Sequence, residues 1–390
     1  MRILHTSDWH LGRSFHREGM LTHQAAFVDH LVDVVERERV DLVVVSGDVY
    51  DRALPQVDAV RLADEALVRL ARSRARTVIS SGNHDSAQRL GFSARLIDAA
   101  GVHLRTDAGA VGTPVVVDDK HGPVAVHAIP YLDPDAVREP WALPARSHQA
   151  ALEEAMRRVR ADTAARGRSR TVVLAHAFVA GGEPSDSERD ISVGGVSRVP
   201  VSVFEGVTYT ALGHLHGSHV LTDTVRYSGS PLAYSFSEAA QTKGSWLVEL
   251  DATGVSHAEL VEAPVPRPLA RLRGDLATLL DDPALSRHEQ SWVQATLTDP
   301  VRPHQAMDRL RRRFPHALVL AFEPVGATLD GAPVAGRPGR SDHELARDFV
   351  ADLRGVPVTD DEGALLDRAV DACCDDRDLD SLVSPAEALF

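Results

Sequence analysis

A chain of 390 residues with 44% hydrophobic and 25% charged residues is too long for one ordinary core, so two or three globular domains are expected. Its formal net charge of −14 argues against a polyanion binder that works through bulk positive charge. Two adjacent cysteines, Cys373 and Cys374, offer no disulfide framework, and no apolar run approaches a membrane span, so a reducing, cytoplasmic setting is the expectation.

The opening MRILHTSDWH is too short in apolar residues, and too broken by His5 and Asp8, to read as a secretory leader. Through the first hundred residues strand and helix patterns alternate: strand 2–6, helix 23–38, strand 41–46, helix 57–71 and strand 76–80. Such alternation implies βαβ units around a largely buried sheet. Short strands then dominate, at 115–117, 124–129, 171–175, 208–212, 225–228 and 245–250, interrupted by a helix over 147–166. An α/β sandwich of two sheets flanked by helices fits this order. Alternating prolines at 264, 266 and 268 mark a boundary, because they stop ladders and helices alike. Residues 269–323 read as a small α+β domain of strand, helix, strand, helix, strand. A Gly/Pro-rich linker, GAPVAGRPGR, follows at 331–340. Beyond it, Ser341 with Glu344 and Thr359 with Glu362 form capping-box patterns. Leu345, Phe349 and Leu353, then Leu366, Ala369 and Val370, follow at helical spacing.

Five apolar runs end in polar, metal-competent residues. These are Asp8-Trp9-His10, Asp48-Val49-Tyr50-Asp51, Asn83-His84-Asp85, His176, and His214-Leu215-His216. In α/β sheets ligands bind beyond the carboxyl ends of strands, so the five ends are expected on one rim. Residues two apart in an extended segment point the same way, which pairs Asp8 with His10 and His214 with His216. Gly47, Gly82 and Gly213 are expected to let the chain bend where strand becomes loop. Carboxylate, imidazole and amide oxygen without thiolate suit manganese, iron or zinc. The supply exceeds one tetrahedral site and matches two divalent metals about 3.5–4 Å apart, sharing a carboxylate. Two such cations lower the pKa of a bridging water and neutralise charge on a phosphoryl group.

The ordered set DxH, GDxxD, GNHD, lone His and GHxH resembles the calcineurin-like metallophosphoesterases, although the lone histidine stands in AHAF rather than after a glycine. The resemblance implies that Asp8, His10, Asp48 and His216 hold one metal. It implies that Asp48, as the bridge, holds the other with Asn83, His176 and His214. His84 would sit beside the phosphoryl group as hydrogen-bond donor or acid, oriented by Asp51.

Further stretches narrow the resemblance. TSDWHLGRSFHR at 6–17, SERDISVGG at 187–195, ALGHLHG at 211–217 and RYSGSPLAYSFSEAAQTKG at 226–244 are similar to the SbcD family of bacterial nuclease subunits. That likeness implies a manganese-dependent nuclease acting with the ABC-type ATPase SbcC. Its expected work is 3′→5′ degradation of double-stranded DNA ends, single-strand cutting and hairpin opening, in recombination, replication and repair. It further implies a nuclease domain over 1–263 that pairs as a homodimer, a capping domain over 268–326 and a partner-binding helical tail over 341–390. Arg13, His16 and Arg17 are candidates for DNA phosphate contacts. Arg309, Arg311, Arg312 and Arg313 instead suit the C-terminal end of a helix, where the dipole favours cations. The two tail helices have no evident core of their own and are expected to dock on SbcC. The competing readings are a stand-alone phosphodiesterase or phosphatase, for which the extra domain and tail are superfluous, and a non-catalytic scaffold, which would be expected to have lost ligands.

Overall fold

The computed structural model describes residues 1–167, 170–191, 198–325, 340–354 and 356–375. Most of the expected linker at 331–340, part of SERDISVGG and the last fifteen residues of the expected tail lie outside them, as do the side chains of Leu353, Cys373 and Cys374. The chain begins with β1 (Arg2–Thr6), a small hairpin of β2 (Ser14–Phe15) and β3 (Glu18–Gly19), and α1 (Leu21–Arg37). Next come β4 (Leu42–Ser46), α2 (Val57–Arg72), β5 (Arg76–Ser80), the short α3 (Ala87–Leu90) and α4 (Ala94–Ile97), and β6 (Val102–Arg105). Then follow β7 (Val115–Asp119), β8 (Gly122–Ile129), α5 (Pro134–Val137), α6 (His148–Arg166), β9 (Arg170–His176) and β10 (Tyr209–Gly213). After β11 (His219–Val220), β12 (Val225–Tyr227), β13 (Gly244–Leu250) and β14 (Val255–Glu262) come β15 (Leu269–Gly274), α7 (Leu276–Asp281), β16 (Trp292–Leu297), α8 (Ala306–Arg313) and β17 (Ala317–Phe322). The last described helices are α9 (Asp342–Arg354) and α10 (Asp360–Asp375).

Two six-stranded sheets carry the fold, in the orders β14-β13-β1-β4-β5-β6 and β11-β12-β10-β9-β8-β7. In the first, β1, β4, β5 and β6 run parallel while β13 and β14 are antiparallel. In the second, β8, β9, β10 and β12 run parallel between the antiparallel edges β7 and β11. The sheets face each other through Ile3, Leu42, Val44 and Val78 on one side and Val126, Val172, Leu174 and Tyr209 on the other. Helices α1 and α2 cover the outer face of the first sheet, burying Phe27, Leu31, Leu62 and Leu70. Helix α6, whose N-cap Ser147 accepts from the Ala150 N–H, covers the second through Leu152, Met156 and Val159. This is why β4 reads LVVVS with every residue buried: a strand covered on both faces has no polar side to show.

Chain contacts divide the molecule into two units, Met1–Leu297 with Pro303–Phe322, and Thr298–Arg302 with Glu323–Phe390. The first contains the sandwich and a small parallel sheet, β15-β16-β17, whose strands alternate with α7 and α8 over a core of Leu272, Leu279, Val293, Leu310 and Phe314. Phe15 of the hairpin packs with Phe236 and Trp292, ring centroids 5.0 and 5.1 Å away, tying the sandwich to that sheet. In the second unit both capping boxes form: the Ser341 and Thr359 N–H groups donate to Glu344 and Glu362 at 2.9 and 3.0 Å. Ion pairs Arg347–Asp367, His343–Asp371 and Arg354–Glu362 join α9 to α10. No helix among the described residues is long and apolar enough to cross a membrane.

Candidate metal centre

The five strand ends do converge. Loops after β1, β4, β5, β9 and β10 bring Asp8, His10, Asp48, Asn83, His176, His214 and His216 into one contiguous cluster, joined link by link through their side chains. Donor atoms of Asp8, His10 and His216 lie within 4.8 Å of one another, and so do those of Asp8, Asp48 and His176. Asp48 Oδ2 is 3.7 Å from His10 Nε2 and 3.4 Å from His176 Nε2, which puts one carboxylate between the two halves of the set. Asn83 Oδ1 meets His176 Nε2 at 2.8 Å and His214 Nδ1 at 3.3 Å.

The local route to this convergence differs from simple extended alternation. Asp8, His10, Asp48 and His214 all have positive φ, at 53°, 46°, 52° and 106°. The chain therefore turns at these four residues instead of running straight past the rim. Main-chain bonds between neighbouring loops hold these turns: Asp8 N–H to Gly47 at 3.1 Å, His10 N–H to Asp48 at 3.0 Å and Leu11 N–H to Val49 at 2.9 Å. All three glycines are needed for close approach: a Cβ would lie 2.4 Å from His176 Nδ1 at Gly47, 2.1 Å from Asp48 Oδ1 at Gly82 and 1.9 Å from the Ser46 carbonyl at Gly213, and Gly47 has φ +84° besides.

The donor set fits cations. His176 Nδ1 faces the Ser46 carbonyl at 2.9 Å, so it donates there, and its Nε2 is left against two acceptors, Asn83 Oδ1 and Asp48 Oδ2. Something positive belongs in that gap. Burial alone would lower the His176 pKa, but Asp48 and Asp8 drive it up to about 9. Burial and the Asp48 charge raise Asp8 to about 6, and burial holds His10 and His214 well below the usual imidazole range. His10 Nε2 faces His216 Nε2 at 3.0 Å, and the buried Asn83 Nδ2 and His10 Nδ1 have no hydrogen-bond partner among the described residues. Opposed lone pairs, clustered carboxylates and orphaned polar atoms are what divalent ions relieve.

His84 lies against the cluster, its ring 4.7 Å from that of His10. Its Nδ1 donates to the main-chain carbonyl of Asp51 at 2.8 Å, while the Asp51 carboxylate is 3.9 Å away. The orientation expected from an Asp51 side-chain bond thus comes from the Asp51 backbone, because the GDxxD loop turns its carbonyl toward the ring. The Asp51 carboxylate instead lies 3.7 Å from both His10 Nδ1 and Arg13 Nη1. His84 also forms a compact group with His10 and Asp48, a contact that sequence spacing did not reveal. Burial lowers the His84 pKa, with Asp48 acting against it.

Arg13 is built into the wall: Nη2 donates to the Ser187 carbonyl at 2.7 Å and the guanidinium lies 5.1 Å from the Tyr234 ring centroid. His16 and Arg17, with φ 47° and 75°, form the exposed turn of the β2–β3 hairpin. In the small sheet's helix, Arg313 donates to the Leu279 and Asp282 carbonyls at 3.1 and 2.6 Å, and Arg311 to that of Ala317 at 3.2 Å. Two roles were missed by sequence reasoning. Asp85 accepts from the N–H groups of Gly82, Tyr50 and Val49 at 2.9, 2.9 and 3.2 Å, clamping the GNHD loop to the GDxxD loop. Behind His216 stand Ser187, Glu188, Glu238 and Lys243. Lys243 is one of only two lysines, and that rarity was the available signal.

Comparison with known proteins gives the family. The calcineurin-like phosphoesterase profile matches residues 1–218. The SbcD C-terminal domain profile, described as the type 5 capsule protein repressor C-terminal domain, matches residues 265–352. Similar solved structures include a novel archaeal phosphodiesterase, 11% identical at a TM-score of 0.30, covering 67% of this chain and 100% of that one. Another is TT1561 of Thermus thermophilus, 12% identical at a TM-score of 0.37, covering 66% and 98%. A third is GAP50, the anchor in the inner membrane complex of Plasmodium, 11% identical at a TM-score of 0.38, covering 83% and 98%.

Proposed function

The chain belongs to the calcineurin-like phosphoesterases, and from that premise we propose that it is the nuclease subunit of an SbcC–SbcD-type complex, cleaving DNA phosphodiesters. The observation that carries this reading is the conjunction, on one chain, of a phosphoesterase match over 1–218 and an SbcD C-terminal match over 265–352. On this reading residues 1–263 are the nuclease domain, 268–326 the cap and 341–390 the tail that docks on SbcC.

Asp8, His10, Asp48 and His216 would hold one divalent ion and Asp48, Asn83, His176 and His214 the second, with Mn2+ the proposed metal; such a pair supplies an activated water and neutralises phosphoryl charge. The chain's own residues do the rest. The main-chain N–H of His84 donates to Asp48 Oδ1 at 2.8 Å, so the shared carboxylate and the candidate acid are set in register. Because His84 Nδ1 already donates to a carbonyl, a proton delivered from Nε2 must come from the imidazolium form. The phosphodiester's negative charge and Asp48 favour that form, and burial opposes it. Arg13, braced by Ser187 and Tyr234, has an Nη1 that lies 3.7 Å from the Asp51 carboxylate and makes no hydrogen bond among the described residues, a donor proposed for a phosphate oxygen. The exposed His16–Arg17 turn offers a second contact further along the strand.

Exposed apolar residues support the partners. Leu54, Val57, Val60, Phe92 and Leu96 stand out around α2, α3 and α4, with Phe92 78% and Leu96 77% exposed; a second copy is the proposed occupant. Phe349 and Leu365 are exposed on α9 and α10, where an apolar surface of SbcC is the proposed partner. The test is turnover with Mn2+ of duplex DNA ends against a small cyclic nucleotide. Faster cleavage of DNA is expected; preference for the cyclic nucleotide would replace the nuclease with a stand-alone phosphodiesterase.

A further inference from the structure

Every polar handle of His216 except Nε2 is engaged by a buried network. Ser187 Oγ lies 2.5 Å from Nδ1. The Glu188 carboxylate accepts from the His216 N–H at 2.7 Å, and Lys243 Nζ donates to the His216 carbonyl at 2.8 Å. Ser187 Oγ is also 2.5 Å from Glu238 Oε1, and the other oxygen of Glu238 is ion-paired with Lys243. Glu238 is 1% exposed, Ser187 and Lys243 8%. Ser230 Oγ and Gln241 Oε1 stand 3.1 and 2.9 Å from the same nitrogen, so the three ammonium protons are shared among four acceptors, which pins the ammonium in place.

The direction of each hydrogen bond follows from proton counting. A carboxylate paired with an ammonium can only accept, so Ser187 donates its single proton to Glu238. The serine oxygen is then an acceptor toward His216, so Nδ1 must carry the ring proton and Nε2 must present its lone pair. We infer that Ser187, Glu238 and Lys243 are positioning residues that fix His216 in the Nδ1–H tautomer, the form that can ligate a metal through Nε2. The relay holds the tautomer whether or not a cation is present, and its importance for binding rests on the two-metal reading above.

One substitution should invert the relay. In Glu238→Gln the anchored Lys243 demands the amide oxygen, so the amide NH2 turns to Ser187. The serine must accept from it and is free to donate to His216 Nδ1, which favours the Nε2–H tautomer. Ser187→Ala removes the bridge and leaves the Glu238–Lys243 pair intact, while Ser187→Thr keeps the hydroxyl.

The experiment is a long-range 1H–15N spectrum of histidine-labelled, metal-free full chain, with His216 assigned by comparison with His216→Gln, followed by Mn2+ titration of each variant. Wild type and Ser187→Thr should show Nδ1–H, Glu238→Gln should show Nε2–H, and Ser187→Ala a mixture. Mn2+ affinity should fall about 10- to 100-fold in Glu238→Gln and Ser187→Ala and be retained in Ser187→Thr. An unaltered tautomer in both Glu238→Gln and Ser187→Ala overturns the inference, as does unaltered affinity in either. If Glu238→Gln does not fold, Ser187→Ala alone decides. A wild-type chain that binds no divalent ion would sink the two-metal reading, while the metal-free tautomers would still judge the relay.

Discussion

Asp85 is the most informative residue to change, because two roles predict different outcomes. As a clamp it accepts three main-chain N–H bonds, from Gly82 and Val49 at Oδ2 and from Tyr50 at Oδ1. Asparagine keeps the shape but turns one oxygen into a donor. Its better orientation retains the Gly82 and Val49 bonds and sets an NH2 against the Tyr50 N–H, stranding one donor at about 1–3 kcal/mol. The two retained bonds fall from charge-assisted to neutral, costing about 1 kcal/mol together. Against this, losing the charge relieves repulsion with Asp48, which helps burial push the Asp85 carboxyl up to about 7. Cations on Asp48 remove that repulsion, so the full loss of roughly 2–4 kcal/mol appears only with metal bound. Asp85→Asn should therefore be less destabilised in metal-free denaturant melts than in melts with saturating Mn2+. The difference, on the order of 1–2 kcal/mol, should reappear as about tenfold weaker Mn2+ binding by calorimetry. Asp85→Ala, with no acceptor, should lose more in both states. Wild-type stability in both variants combined with complete loss of metal would make Asp85 a ligand and refute the clamp.

Four other outcomes are expected. His84→Ala should abolish cleavage and keep two metals by elemental analysis; loss of one metal would instead place His84 among the ligands, where its contact with His10 and Asp48 allows it. Asp48→Asn should weaken both metals together, and loss of only one would end its role as the shared carboxylate. His5, buried between Tyr209 and the Leu212 carbonyl, has its pKa lowered by burial from 6.5 to about 3. A depressed imidazole pKa stabilises the fold above pH 6.5 and loses that contribution as pH falls toward 3, so on the order of 3 kcal/mol should disappear by pH 4.5; a His5→Gln chain melting with the same pH slope would contradict this. Deleting residues 341–390 should spare Mn2+-dependent turnover and remove binding to SbcC, and a truncated chain that still co-purifies with SbcC would contradict the tail assignment.

Much of the frame is legible in the residues because burial on both faces leaves strands with no polar side: β4 and β9 are nearly continuous apolar runs. The strands that sequence reasoning passed over are those without that signature. β14 is an edge strand whose VSHAELVE is only partly buried, β6 has four residues, and β2, β3 and β11 have two each. The clustering of the candidate residues was legible for a related reason: an aspartate or histidine ending an apolar run has no structural excuse. What joins Ser187 to Glu238, or Asp85 to Tyr50, was not, since such bonds connect loops far apart in the chain and leave no periodic trace.

The means of convergence was the least visible feature, and its energetics explain why so much of the surrounding chain is committed to it. Left-handed backbone at a residue other than glycine costs roughly 1–3 kcal/mol, so four such residues store on the order of 4–12 kcal/mol. That is comparable with the whole stability of an ordinary domain. Burial of Trp9, Leu11, Val49 and Leu215 anchors these loops, but apolar packing is non-directional and cannot by itself select a backbone angle. Hydrogen bonds can: the loop after β1 is laced to the loop after β4 at Asp8, His10 and Leu11, and Asp85 fastens that second loop to the one after β5. The His214 N–H closes the ring by donating to the Asp8 carboxylate at 3.1 Å. The main chain at Asp8, His10 and His214 is thereby tied to a neighbouring loop of the cluster. Substitutions in such a rim should cost fold and metal binding together unless they spare the main-chain lacing.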